Sequence, residues 1–213
     1  IVARETGLRT ERRISHAYVM DVPGQPAPLI ITDAAINITP SLEEKADIIR
    51  NAIDLAHVLG IAEPKVAILS AVETVNPILP STLEAAALCK MADRGQILGG
   101  ILDGPLALDN AISEAAAQEK GIVSPVAGKT ENPVVPHPHA GERVANEAGN
   151  MLAKQLTFLG GADAAGVVLG ARVPIILTSR ADSLRTRLAS CAIAVLLARA
   201  APKAAPGLPV PTS

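Results

Sequence analysis

Short apolar segments alternate with helix-forming segments along this chain, and this alternation constrains the fold more than any other feature. Residues 42–59 carry apolar side chains at helical spacing, after a capping box formed by Ser41 and Glu44 and before the stop at Gly60. A short apolar run at residues 66–69 follows, which is typical of a buried strand. Repetition of this unit predicts an α/β fold with a mostly parallel sheet and helices on its faces.

The remaining segments continue the same pattern. Residues 128–146 interrupt it with prolines, and residues 201–213, which contain four prolines and no periodicity, are predicted to be a disordered tail. Further strands are predicted at residues 14–22, 29–38, 97–102, 122–123, 167–169 and 173–177, and further helices at residues 81–95, 109–121, 147–159 and 182–200.

Composition excludes several classes of function. The 213 residues carry a net charge of −2, with no Trp, one Phe and one Tyr, so neither a basic surface nor aromatic stacking platforms for nucleic acid are expected. The longest apolar run, residues 191–198, is far shorter than the ~20 residues that span a bilayer. Cys89 and Cys191 lie far apart and lack the spacing of metal ligands, which favours two reduced thiols.

The strongest local candidate for a site is the polar stretch at residues 178–183, between a predicted strand and a predicted helix. Ligands of α/β proteins bind at the carboxyl ends of strands, and a helix start presents unpaired N–H groups that suit phosphate. Arg180 offers a fork of donors that matches phosphate oxygens, and Ser179 offers a hydroxyl. The alternative is ordinary helix capping by Ser179, Asp182 or Ser183.

Other polar residues fall near the ends of predicted strands. Asp103 and Asp109 follow one strand, Asp33 and Asn37 lie at another, and Gly149-Asn150 lies inside a helical pattern. Each could line a cleft, and each could equally serve turn or helix-start geometry.

Metal, nucleotide and serine-hydrolase motifs are weak or missing. His137, His139 and Glu142 lie among prolines, which favours a solvated loop over a metal site, and no resident metal is expected. His16 and His57 fall in strand and helix patterns, where structural roles are expected. The sequence contains no G-x-G-x-x-G after a strand, no G-x-x-x-x-G-K-[ST] and no G-x-S-x-G.

Several motifs resemble, in order, those of the phosphate acetyl/butyryltransferase family. They are residues 33–40 (DAAINITP), 64–70 (PKVAILS) with Val72-Glu73, Ser81-Thr82, 103–112 (DGPLALDNAI), 147–150 (EAGN), and 170–174 (GARVP) leading into Ser179-Arg180. The resemblance covers about residues 5–200 apart from residues 129–146, and it is closest to the phosphate acetyltransferase part of bifunctional enoyl-CoA hydratase/phosphate acetyltransferases.

The resemblance implies a cytoplasmic acyltransferase with coenzyme A and phosphate as substrates and no cofactor. It implies a homodimer and a two-domain α/β fold like that of isocitrate and isopropylmalate dehydrogenases, with the first domain incomplete at its N-terminus. In that frame, residues 1–160 form mainly the second domain, residues 161–200 form the C-terminal part of the first, and residues 201–213 form the tail. The chain alone is then expected to be inactive.

The resemblance also implies roles for the candidate residues. Arg180 holds the phosphoryl oxygens, Ser179 orients the thiol or the acyl carbonyl, and Asp182 is the candidate base. Asp103, Asp109 and Asn150 are further candidates for lining the substrate cleft.

Two departures from the family pattern leave alternatives open. An acidic residue that the family carries several positions beyond Ser-Arg is replaced by Thr186, and residues 129–146 replace an expected strand. One alternative is a metal- and NAD-dependent decarboxylating dehydrogenase of similar fold. The other is an inactive fragment that acts only in dimerisation.

Overall fold

The computed structural model describes residues 7–25, 27–129, 145–180 and 182–200 of the chain. Strands and helices alternate broadly as predicted, but residues 122–123 form no strand and the predicted helix at residues 109–121 is divided into two. The strands are β1 (Ser15–Asp21), β2 (Leu29–Thr32), β3 (Lys65–Leu69), β4 (Ile101–Leu106), β5 (Asp163–Leu169) and β6 (Ile175–Ile176). The helices are α1 (Leu42–Val58), α2 (Pro80–Asp93), α3 (Leu108–Ile112), α4 (Glu114–Glu119), α5 (Ala145–Phe158) and α6 (Leu184–Ala200).

The strands form two sheets. Four strands pair in the order β2-β1-β5-β6, and every neighbouring pair in this sheet is antiparallel. The other two, β3 and β4, pair in parallel. Strand β1 is therefore central, with β2 on one side and β5 on the other.

Alternating side chains divide the core into two layers. Val66 and Ile68 of β3 pack into one cluster, which also holds apolar residues of α1, α2 and α6. Ala67 and Leu69 pack into the other, which holds residues of α3, α4 and α5. Because successive strand residues point to opposite faces, this period of two places helices on both sides of the strands.

The predicted α/β class is confirmed, but the prediction of a mostly parallel sheet is wrong. The dehydrogenase-like arrangement that the resemblance implied is also wrong. The connection from β1 to β2 is too short to hold the crossover that parallel neighbours need, so the two strands form an antiparallel pair. Strand β5 then adds to the free edge of β1 in the opposite direction. Periodicity in the sequence carries no information on such long-range strand direction.

The capping box predicted at Ser41 is confirmed, whereas α2 has no side-chain cap. Ser41 Oγ accepts from the Glu44 N–H at 3.3 Å, while the Glu44 carboxylate accepts from the Ser41 N–H at 2.9 Å. Helix α2 instead begins at Pro80, whose fixed φ suits the first helical position. Ser81 is then the second residue of the helix, and its buried hydroxyl forms a hydrogen bond with Ser70 Oγ at 2.8 Å.

Some predictions fall outside the described residues. These are the tail at residues 201–213 and most of the proline-rich stretch at residues 128–146. The division of domains at residue 160 stays a prediction. Among the helices of the described ranges, none combines the length and the apolar character that crossing a membrane requires.

Candidate active site

Ser179 and Arg180 lie on an exposed turn between β6 and α6, and Asp182 closes that turn. The Ser179 backbone N–H donates to Asp182 Oδ2 at 2.6 Å, and the Asp182 N–H donates back to the Ser179 carbonyl at 3.2 Å. Both Ser179 and Arg180 are exposed. The turn therefore exposes a serine and an arginine that are adjacent in the chain, and the Asp182 carboxylate accepts a hydrogen bond from the serine N–H.

The cap of α6 is Ser183, one residue after Asp182. Ser183 Oγ accepts from the Thr186 N–H at 3.1 Å and also lies 3.1 Å from Thr186 Oγ1. Thr186, where the resemblance implied an acidic residue, is buried and bonds this cap. Since Ser183 fills the capping role, the Asp182 carboxylate serves the turn that carries Ser179 and Arg180.

Asn150 packs against the chain that leaves β2. Its Nδ2 donates to the Ala34 carbonyl at 3.3 Å, and a Cβ on the neighbouring Gly149 would lie 3.2 Å from the Asp33 carbonyl. Asp33 itself accepts from the backbone N–H groups of the three residues at 35–37, at 3.0 to 3.2 Å. Of the two roles considered for Asp33, lining a cleft or stabilising a turn, these contacts favour the turn. Asp33 therefore stabilises the loop against which α5 packs.

Two side chains of β1 lie on the sheet face near these loops. The rings of His16 and Tyr18 meet edge to face, with centroids 4.6 Å apart and planes at 84°. Burial and the negative charge of Asp182 both raise the pKa of the Tyr18 hydroxyl. The charge of Asp182, at the end of the turn, thus acts on the Tyr18 hydroxyl. In the sequence both residues fall within an apolar strand pattern, which gave no indication of a role near the candidate site.

Asp103 and Asp109 lie on other elements: Asp103 is within β4, and Asp109 is in α3, which follows it. A cavity of about 410 Å³ there is lined by Asp103, Glu73 and Lys120 together with apolar residues. Lys120 Nζ lies 2.8 Å from Glu73 Oε1 and 3.0 Å from Asp109 Oδ2, and Asn110 Nδ2 also donates to Glu73. Hydrogen bonding to Lys120 is the main cause that lowers the pKa of Glu73 and of Asp109 and raises that of Lys120.

Replacing Lys120 with methionine is expected to raise the pKa of Glu73 and Asp109 toward their ordinary values of 4.5 and 3.8. A carboxylate with a lowered pKa stabilises the folded protein above its ordinary pKa, and this contribution is lost as the pH falls through the lowered value. Carboxyl ¹³C NMR titration measures the change. Lys90→Met, which removes the exposed Lys90–Asp93 pair, is the control and should leave both titrations unaltered.

Metal sites find no support in the ranges that the structure covers. No group of three or more His, Cys, Asp and Glu residues there could hold a metal ion. Asp109 is already paired with Lys120, which disfavours its use as a metal ligand. His137, His139 and Glu142 lie outside the described residues.

A larger cavity of about 630 Å³ lies on another side of the molecule. It is bounded by α1, the end of α6 and the connection between β5 and β6, and its lining includes the Arg12–Asp54 ion pair. None of the sequence-predicted site residues lines it. Size alone does not identify an active site, so the Ser179–Asp182 turn remains the candidate on chemical grounds.

Comparison with known proteins places most of the chain in one family. The family described as phosphate acetyl/butaryl transferase matches residues 3–195. The phosphate acetyltransferase of Rhizobium meliloti is 67% identical over 93% of this chain and 60% of its own length. The phosphate butyryltransferase of Clostridium acetobutylicum is 45% identical over 93% of this chain and 63% of its own length. The chain thus spans about 60% of these relatives.

Solved structures point to the same family, and they also correct the fold that the resemblance implied. A branched-chain phosphotransacylase from Enterococcus faecalis matches with a TM-score of 0.79 and 33% identity, over 92% of this chain and 67% of that protein. A phosphotransacetylase from Streptococcus pyogenes matches with a TM-score of 0.72 and 26% identity, over 88% of this chain and 54% of that protein. The neighbours are phosphotransacylases, which replaces the isocitrate/isopropylmalate dehydrogenase-like assignment. With the match spanning residues 3–195 and these relatives in agreement, the chain belongs to the phosphate acetyl/butaryl transferase family.

Proposed function

We propose that this chain carries the Ser-Arg turn of a phosphate acyltransferase, which moves a short acyl group between coenzyme A and phosphate. The observation that carries the proposal is the exposed pair of Ser179 and Arg180, closed by Asp182, in a chain 67% identical to a phosphate acetyltransferase. Acetyl and butyryl groups are both candidate substrates, because relatives named for each align with over 90% of the chain.

In the proposed reaction, a phosphate oxygen attacks the carbonyl carbon of the acyl thioester. The carbon–oxygen bond forms, the carbon–sulfur bond breaks, and coenzyme A leaves as a thiolate that takes up a proton. In the reverse direction the thiol, with a pKa near ~8.5 by analogy with cysteine, must lose its proton as sulfur attacks the acyl phosphate. The site therefore has to bind phosphate oxygens and to manage one proton at sulfur.

Each residue of the turn has a role in this chemistry. Arg180 binds the phosphoryl oxygens and stabilises their charge as the acyl–oxygen bond forms or breaks. Ser179 orients the thiol or the acyl carbonyl through its hydroxyl. Asp182 lies within the turn as the base that accepts the thiol proton. Asn150, Asp103 and Asp109 remain proposed cleft residues.

The test is release of coenzyme A from acetyl-, propionyl- and butyryl-CoA. The full-length protein that carries this turn should release it with phosphate or arsenate but not with water alone, and the preferred chain length gives the substrate class. Release that does not depend on phosphate would contradict the proposal. The dehydrogenase alternative gains no support from the relatives, and it predicts Mg²⁺-dependent reduction of NAD by 2-hydroxy acids instead.

Replacing Asp182 with asparagine is expected to lower turnover and to flatten the low-pH limb of the rate profile, while affinity for phosphate stays nearly the same. Asparagine keeps an oxygen that can accept from the Ser179 N–H, so the turn is preserved while the base is removed. The pH dependence of kcat, together with KM for phosphate, measures the effect.

Ser183→Ala is the matched control for that variant, because it removes the cap of α6 and leaves Asp182 in place. This control should lower thermal stability without flattening the pH profile. An asparagine variant with normal turnover and normal pH dependence would restrict Asp182 to closing the turn, and the base would have to be sought elsewhere.

The proposed assembly is a homodimer in the cytoplasm, supported by free thiols and by apolar exposure on α6. Leu184, Leu188 and Val195 lie on one side of that helix and are 74%, 60% and 48% exposed. Burial of such a stripe in an interface would remove apolar surface from water. Light scattering after size exclusion should give twice the monomer mass, and Leu188→Glu should shift the protein to monomer; a wild-type monomer would contradict the assembly.

A further inference from the structure

His16 is a wholly buried histidine that the reaction scheme does not use. The side chain is 0% exposed, and among the described residues neither Nδ1 nor Nε2 has a hydrogen-bond partner. Desolvation lowers the pKa of His16 from its ordinary value, opposed by the Asp33 carboxylate and by the Leu177 carbonyl, and this favours the neutral ring. A neutral imidazole has one donor and one acceptor, and leaving both unpaired in the interior is unfavourable.

The Leu177 carbonyl lies beside the ring because residue 166 is a glycine. A Cβ built on Gly166 would lie 2.4 Å from the Leu177 carbonyl oxygen and 3.1 Å from His16 Nε2. The Leu177 carbonyl oxygen and His16 Nε2 therefore both border the space that a side chain at residue 166 would fill. Their contact falls short of hydrogen-bond geometry. Hydrogen bonds around an active site often tighten only when the ligand is bound.

Leu177 connects this contact to the candidate active site. Strand β6 ends at Ile176, the Leu177 carbonyl follows, and Ser179 begins the turn two residues later. On the same face, Tyr18 packs edge to face on His16 and interacts electrostatically with Asp182, which closes that turn. The Cβ position at Gly166 also lies 3.3 Å from Tyr18 Cε1, so both rings of β1 border the segment that leads from β6 into the turn.

We propose that His16 is a positioning residue for the Ser179–Arg180 turn, and that its Nε2–H donates to the Leu177 carbonyl in the productive geometry. This inference rests on the proposed function and deepens it. The ring does not touch substrate; it sets the direction in which the chain leaves β6. Gly166 shares this role by leaving room for the carbonyl on the sheet.

Substitutions that differ only in where they place a donor test this role. Gln puts an amide N–H near the position of Nε2, Asn puts one near Nδ1, and Leu offers none. We expect His16→Leu and His16→Asn to lower kcat for coenzyme A release by about tenfold, the value of one hydrogen bond, and His16→Gln to stay within about threefold of wild type. KM for phosphate should change less than twofold, because Arg180 is retained.

His57→Leu is the matched control, since His57 is an exposed histidine of α1. It should release coenzyme A at the wild-type rate. The proposal is overturned if His16→Leu keeps the wild-type kcat, or if His16→Gln is as slow as His16→Leu at equal thermal stability. If wild type and the His57 variant both fail to release coenzyme A, the proposed function fails instead.

Nitrogen NMR of the histidine rings in wild type decides the case even when a His16 variant does not fold. The protein has four histidines, so the His16 ring can be assigned by substitution of the others. The expected result is a neutral Nε2–H tautomer whose Nε2 resonance shifts in Gly166→Ala and on addition of phosphate with coenzyme A. A neutral Nδ1–H tautomer, or an Nε2 resonance that Gly166→Ala leaves unchanged, would overturn the proposal with or without enzymatic activity.

Discussion

Replacing Arg180 with alanine is expected to lower phosphate-dependent release of coenzyme A by about 10²-fold or more, with thermal stability unchanged. Arg180 is exposed on the turn after β6, so its removal creates no cavity in the core. Negative charge develops on the transferring oxygens, and loss of one well-placed donor to such charge typically costs ~3 kcal/mol. Steady-state kinetics with acetyl- and butyryl-CoA, paired with a thermal melt, measures both quantities.

Arg185→Ala is the matched control for this variant. Arg185 lies in the first turn of α6 and pairs with Asp163 at 3.0 Å, so the same change in charge is made close to the site but outside the turn. Turnover should then stay within about threefold of wild type, because exposed ion pairs contribute little. An Arg180 variant as active as the Arg185 variant would remove Arg180 from the proposed mechanism.

Ser179→Ala should have a smaller effect than Arg180→Ala. A hydroxyl contributes orientation and one neutral hydrogen bond, whereas a guanidinium contributes a full charge. The same assay compares the two variants. If the serine variant were the slower of the two, the roles assigned to these side chains would have to be exchanged.

Local signals in the sequence predict most of the elements of this fold and miss how they pair. The capping box at Ser41 and the helical spacing after it define α1, because both depend on residues within one or two turns. The antiparallel pairing of β1 with β5 joins residues about 150 positions apart, for example His16 with Val168. Such a contact depends on the whole chain, and no local pattern encodes its direction.

The candidate site shows the same division between local and distant information. The turn at Ser179–Asp182 is predictable, because a polar segment between a strand and a helix is a local feature. The proximity of Leu177, which leads into the turn, to His16 and Tyr18 is not predictable, since these segments meet only because β5 lies beside β1. The ambiguity at Asp33 is resolved only by three backbone donors around its carboxylate.

Replacing Glu84 with glutamine is expected to lower the free energy of unfolding by about 2 to 3 kcal/mol. Glu84 of α2 pairs with Lys45 of α1, whose side chain is only 3% exposed, while that of Glu84 is 28% exposed. Loss of the carboxylate leaves the Lys45 ammonium in the interior without its opposite charge, and an uncompensated buried charge is strongly destabilising. Chemical denaturation with an unchanged m-value measures the difference.

Lys45→Met should cost less than Glu84→Gln, although it breaks the same ion pair. Methionine fills the buried space of the lysine side chain with apolar atoms, and the Glu84 carboxylate that remains is partly hydrated. Lys90→Met, at an exposed pair on α2 with side chains 66% and 61% accessible, is the control and should change stability by less than about 0.5 kcal/mol. Equal losses for Glu84→Gln and Lys90→Met would show that water reaches Lys45 and that burial does not determine the strength of this link between α1 and α2.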